Sequence, residues 1–250
     1  MSNLIRIGLF VTTLAASSII GKAQISFTFE YSDAPHFNDT HKAALDSAAS
    51  IASSFFTHTA SVTMKVTSVS NGSDTLASAG SEFPDGGTIG FGNRGVVGHK
   101  ILTGVDLNNG TVDGNVEVNF GQNWDFDDSI ASNLLDFKST MIHELLHAVG
   151  FSSSIAQSGN DPFSVTPGTA GNWGPFDEFV FDSTGRIIGA DAILDGTRWN
   201  AASVGGTGTT PDTIGLYFGG PQAQAAFGGE PVPILFSYYV VRWKQWEPSR

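Results

Sequence analysis

The 250 residues contain no cysteine. That excludes disulfide bridges, thiol nucleophiles and every cysteine-based zinc site. Charge is sparse as well: 14% of residues are charged, and 12 basic against 24 acidic residues leave a formal net charge of -12. A surplus of acids argues against a nucleic-acid backbone or an anionic membrane surface as partner. Methionine occurs three times and never after Met141, and histidine occurs six times and never after His147. Both gaps bear on the site described below. No apolar run beyond the N-terminal one is long enough to span a bilayer, which takes ~20 apolar residues.

The hydrophobic fraction, 40%, is that of a globular protein. The chain opens on Arg6 and the apolar run "IGLFVTTLAASSII", followed by "GKAQ" with Gly21 and Ala23 at the −3 and −1 positions of a cleavage site. This layout predicts a signal peptide over 1–23, a mature chain that starts at Gln24, and a secreted, extracellular protein with no membrane span after cleavage. Cleavage removes Arg6 and Lys22 but no acid, so the mature chain is more acidic still.

Periodicity assigns the elements. "ISFTFE" (25–30), "ASVTMKVTSV" (60–69) and "GNVEVNFG" (114–121) alternate and predict strands. "DTHKAALDSAASIASSFF" (39–56) carries Ala44, Leu45, Ala48, Ile51, Ala52 and Phe55 near helical spacing and predicts a helix. The Gly-, Ser-, Asn- and Asp-rich stretch 70–115, with apolar islands such as "VVGHKILTGV", predicts short strands between turns. Leu134, Phe137, Met141, Leu145 and Ala148 mark one apolar face of a helix over about 133–149, closed by Gly150. Further on, "PFDEFVFDSTGRIIG" predicts a hairpin around Ser183–Gly185, and "GPQAQAAFGG" a short helix.

The predicted helix carries "HELLHAVGF" (143–151). His143 and His147 fall one turn apart on one face, so both imidazoles can reach one ion. Glu144 stands beside the first histidine, where it can take a proton from a water on that ion and pass it on as an acid. This is the H-E-x-x-H arrangement of a zinc peptidase. "HELLHAVGF" resembles the signature of metzincin-type zinc metallopeptidases, above all the leishmanolysin-like branch and its bacterial secreted peptidase-like relatives. "DFKSTMIHELLHAVGF", "PFDEFVFDSTG" and "YFGGPQAQAAFGGEPVPI" resemble segments of those relatives in the same order. The missing cysteines depart from the eukaryotic members and favour the bacterial type.

The resemblance implies an α+β zincin fold, with a twisted mixed sheet, a backing helix and an active-site helix, over 24–234. It implies zinc as cofactor, His143 and His147 as metal ligands, Glu144 as the catalytic residue, and a monomer acting on a peptide or protein substrate with no nucleic acid involved. It also implies an edge strand ahead of the helix, a place taken here by "GNVEVNFG". In metzincins with the compact motif, a histidine three residues past the glycine completes the site, and here that position is Ser153. In the leishmanolysin-like branch the third histidine and a methionine turn follow much later. Neither residue is available after "GGEPVPI", where "LFSYYVVRWKQWEPSR" (235–250) departs from the pattern as an off-pattern tail. The peptidase-like domain is therefore expected to be incomplete at its C-terminus. Two alternatives stay open: Glu178, in an E-x-x-x-D pattern with Asp182, as the third ligand, and an inactive relative that binds peptide or metal without turnover.

Overall fold

Strand β1 (Ile25–Asp33), helix α1 (Asp39–Ser53) and strand β2 (Ala60–Val69) form a βαβ unit, the two strands pairing in parallel from Ile25 with Ala60 to Glu30 with Lys65. The computed structural model describes residues 25–84, 87–153, 155, 168–202 and 215–234. The expected leader (1–23) and the tail (235–250) lie outside the described residues.

Four further strands and two helices complete the first half. They are β3 (Ala77–Ser81), α2 (Val96–Thr103), β4 (Gly114–Asn119), the short parallel pair β5 (Trp124–Asp125) and β6 (Leu135–Asp136), and α3 (Phe137–Val149). The main sheet has the order β1-β2-β4-β3, parallel except for β3, which runs antiparallel to β4. The architecture is therefore α+β with a mixed sheet. Alternation dictates which face is covered: Val62, Met64, Val66, Val116 and Val118 are buried, while the residues between them are polar. Helices α1 and α3 pack on each other, α1 also meeting β1 and α3 meeting β3 and β4. Phe137, Met141, Leu145 and Ala148, the apolar stripe of α3, enter this core.

Three expectations change. The strand "GNVEVNFG" is not an edge: β4 lies between β2 and β3, and β3 is the edge. "VVGHKILT" is helix α2 rather than a strand. It approaches the end of α3 so closely that a Cβ on Gly98 would stand 2.8 Å from the Val149 carbonyl oxygen. Finally, α3 starts at Phe137 instead of 133, because Asp136 caps it, accepting the Ser139 N–H at 3.2 Å, and Leu135 pairs with Trp124.

Beyond α3 a second sheet, β10-β9-β7-β8, combines β7 (Val180–Asp182), β8 (Gly185–Arg186), β9 (Leu216–Phe218) and β10 (Val232–Ile234), with α4 (Gly196–Ala202) and α5 (Pro221–Ala226) between them. The hairpin and the short helix thus stand where periodicity put them. Trp173, Val180, Ile187, Ile188, Trp199 and Leu216 bury a separate small core. It is joined to the first half by a bridge of Gly90 with Asn172.

Arg198 ties the hairpin down, donating to Asp182 and to the carbonyls of Gly185 and Arg186. Burial alone would raise the Asp182 carboxyl, but hydrogen bonds from Arg198 and Thr184 outweigh it and hold it at about 2. The sign follows from linkage. A carboxyl whose folded pKa is depressed stabilises the fold above its unfolded pKa and stops doing so as pH falls through the folded value. The small core is therefore expected to loosen between about pH 4 and 2. Near-ultraviolet signals of the buried Trp173 and Trp199 should report it. Arg198→Leu should weaken this core at neutral pH and flatten its acid dependence, and an acid profile identical to wild type would contradict the assignment.

Candidate metal and peptidase site

The end of α3 builds the site. Gly150 takes φ 106°, a left-handed conformation that glycine adopts at no steric cost. In that conformation its N–H donates to the His147 carbonyl at 2.9 Å, and the Phe151 N–H reaches the Leu146 carbonyl at 2.9 Å. These two bonds are the Schellman closure of a helix. They fold Phe151 back, so that its own carbonyl oxygen accepts the His147 Nδ1–H at 3.0 Å. The Phe151 ring lies against Phe176 and Phe218, at centroid distances of 5.5 and 5.6 Å, which ties the turn to the second sheet.

The Phe151 bond sets the tautomer. With Nδ1 protonated, a neutral His147 presents a bare Nε2 lone pair, as a metal-ligating histidine does. His147 Nε2 accepts the His143 Nε2–H at 2.9 Å, so the two nitrogens converge on one point. Two nitrogens held by a tetrahedral zinc at ~2.0–2.1 Å stand about 3.3 Å apart, an adjustment of a few tenths of an ångström. Partial burial, and then the neighbouring His147, hold His143 below the ordinary imidazole range, so the ring is neutral, and moving its one proton to Nδ1 frees Nε2 for a metal.

Glu144 sits between the helix and the sheet. Its Oε2 accepts the Ala79 N–H of β3 at 3.2 Å. Burial raises its carboxyl to about 7, and the Ala79 N–H moderates the rise. A carboxyl poised there exchanges protons readily near neutral pH, as a general acid–base must.

The other expected donors stay away. Ser153, at the compact-motif position, uses its hydroxyl oxygen to accept the Ile155 N–H at 3.1 Å. Glu178 stands on the 3-10 turn Asp177–Phe179, where its carboxylate faces Arg186 at 3.5 Å. Asp182 is held by Arg198, so the E-x-x-x-D pattern serves the hairpin. Asp177 is buried and accepts the Gly174 N–H at 3.0 Å. Among the described residues no three His, Cys, Asp or Glu side chains gather as a metal cage. All six histidines are among the described residues, and His36 and His41 stand elsewhere, with His41 stacked on Phe120 and Phe126. The donor set thus fits two of the three protein positions that a catalytic zinc requires.

Sequence reasoning missed Ala79. Its contribution is a backbone N–H, which no side-chain pattern announces. No family model, no curated protein and no solved structure matches the chain.

Gly150→Ala is expected to strain the closure, because alanine resists φ 106°. The Phe151 carbonyl would then leave His147 Nδ1. Outer-sphere partners of this kind are worth roughly 10–100-fold in metal affinity. Zinc titration of the variant should show a loss in that range, and unchanged affinity would remove Phe151 from the site.

Proposed function

We propose that the chain is a secreted zincin-like metallopeptidase domain that cleaves peptide bonds, with His143 and His147 as zinc ligands and Glu144 as general base and then acid. The observation that carries this reading is the convergence of His143 Nε2 and His147 Nε2, with the half-buried Glu144 carboxylate one residue from His143. Zinc bound by these nitrogens supplies a Lewis acid that polarises the scissile carbonyl and acidifies the attacking water. Glu144 takes the water's proton on its carboxylate and delivers it to the leaving amide nitrogen. The Phe151 carbonyl keeps His147 in the tautomer that leaves Nε2 available. The mixed sheet with an antiparallel edge strand, and a helix closed by Gly150 beneath it, support a metzincin-like version of the zincin fold.

A second reading has an observation of its own. Among the described residues there is no third donor, which favours a peptidase-like protein that holds metal or peptide weakly and does not turn over. One experiment separates the two: zinc titration in metal excess, together with casein cleavage in added zinc with and without a chelator. Zinc-dependent, chelator-sensitive cleavage establishes the enzyme. Zinc binding without cleavage establishes the inactive relative, and no zinc binding even in metal excess sinks the peptidase and leaves the second reading only as a binder of peptide.

A further inference from the structure

The edge strand and the helix of the site meet through one hydrogen bond, and the register of the sheet explains why it is available. Ala79 pairs with Val116 in the antiparallel ladder of β3 and β4. On either side of it, the Leu76 carbonyl accepts the Asn119 N–H at 2.9 Å, and the Glu82 N–H donates to the Asp113 carbonyl at 2.8 Å. Backbone groups alternate sides along a strand. Residues 76, 78, 80 and 82 therefore turn their backbone groups toward β4, and 77, 79 and 81 turn theirs to the free edge. An edge N–H has no ladder partner. That of Ala79 finds Glu144 Oε2 at 3.2 Å, and it is the one hydrogen bond to this carboxylate among the described residues.

Resting on the reading of Glu144 as general base, we propose that the Ala79 N–H is its positioning donor, so that the edge strand as well as the helix sets where the carboxylate stands. A glutamate carries several freely rotating bonds, and fixing them costs entropy that a bond at the far end must offset. A general base displaced by about 1 Å can lose 10²-fold in rate, so the helix alone, holding only the Cα end, does not supply the required precision. Because the donor is a backbone group, only a residue without an N–H removes it outright. Proline is the informative substitution: an outward-facing edge position is one where it removes no ladder bond.

The test has two arms on the full chain. In residue-resolved amide hydrogen exchange, the Ala79 amide should be at least tenfold slower than that of Ala77, which faces the same free edge. Glu144→Ala should abolish the difference and Glu144→Gln, whose amide oxygen still accepts, should keep it. In zinc-saturated peptide hydrolysis, Ala79→Pro should lower kcat roughly 10–100-fold with KM and zinc affinity nearly unchanged. Equal exchange at Ala79 in wild type and Glu144→Ala overturns the positioning bond, as does a wild-type kcat in a folded Ala79→Pro. If Ala79→Pro does not give the wild-type circular dichroism spectrum, the exchange arm decides. Absence of zinc-dependent hydrolysis in wild type instead overturns the peptidase reading, and Ala79's role in catalysis with it, while the exchange arm still reports on the bond itself.

Discussion

Glu144→Gln is expected to lower zinc-saturated peptide hydrolysis by roughly 10²–10⁴-fold, the usual cost of losing one general base. The substitution is nearly isosteric. It keeps an acceptor for the Ala79 N–H, which lies 3.2 Å from the carboxylate in the wild-type chain, and it removes an ionisable group from a half-buried position. Folding and zinc binding should therefore survive while turnover does not. The pH dependence adds a second signature. Burial holds the metal-free Glu144 carboxyl at about 7, and a cation bound beside it favours the ionised form and lowers that value. A base must be ionised to accept a proton, so wild-type activity should rise with pH along a limb at or below about 7, and the glutamine variant should lack that limb. Unchanged activity in Glu144→Gln would falsify the assignment.

The metal itself gives the second large effect. His143 Nε2 and His147 Nε2, 2.9 Å apart, supply two tetrahedral corners, and a catalytic zinc takes three protein ligands plus a water. With the two donors found among the described residues, the protein should bind one zinc ion only in metal excess and lose it on dialysis. His147→Ala, which leaves a single imidazole, should abolish even that binding. Zinc held weakly stabilises the fold little, since the stabilisation grows only as the logarithm of the ligand-to-Kd ratio. A chelator should accordingly leave the thermal midpoint almost unmoved. Isothermal titration and metal analysis after dialysis check these expectations. Tight stoichiometric zinc in wild type would mean that a third donor exists in the chain. It would direct mutagenesis to the four carboxylates outside the described residues, Asp85, Asp161, Asp212 and Glu247, and it would remove the main support for an inactive relative.

Local pattern was sufficient for much of this protein. The alternation of β1, β2 and β4, the apolar stripe of α3, the hairpin near Ser183 and the closing role of Gly150 are all written in runs of a few residues. The reason is that a period of 2 or 3.6 reports on the residue's own element. The same holds for His143, Glu144 and His147, whose four-residue spacing places both imidazoles on one helix face before any tertiary contact exists.

What the tertiary structure alone decided is of a different kind. Alternation in "GNVEVNFG" says which side chains face the core but not which strands lie on either side, so only the sheet order makes β3 the edge and β4 an interior strand. The β-branched "VVGHKILT" favours a strand by propensity, and it is a helix because Val97 and Ile101 complete the core while Gly98 lets it touch the end of α3. Glu178 fits a ligand pattern along the chain, yet the hairpin that carries it pairs it with Arg186. The bond from Ala79 to Glu144 spans 65 positions and uses a backbone donor. No sequence pattern encodes such a contact, because every residue but proline has the same N–H, and where it points depends on the register of strands brought together from distant parts of the chain.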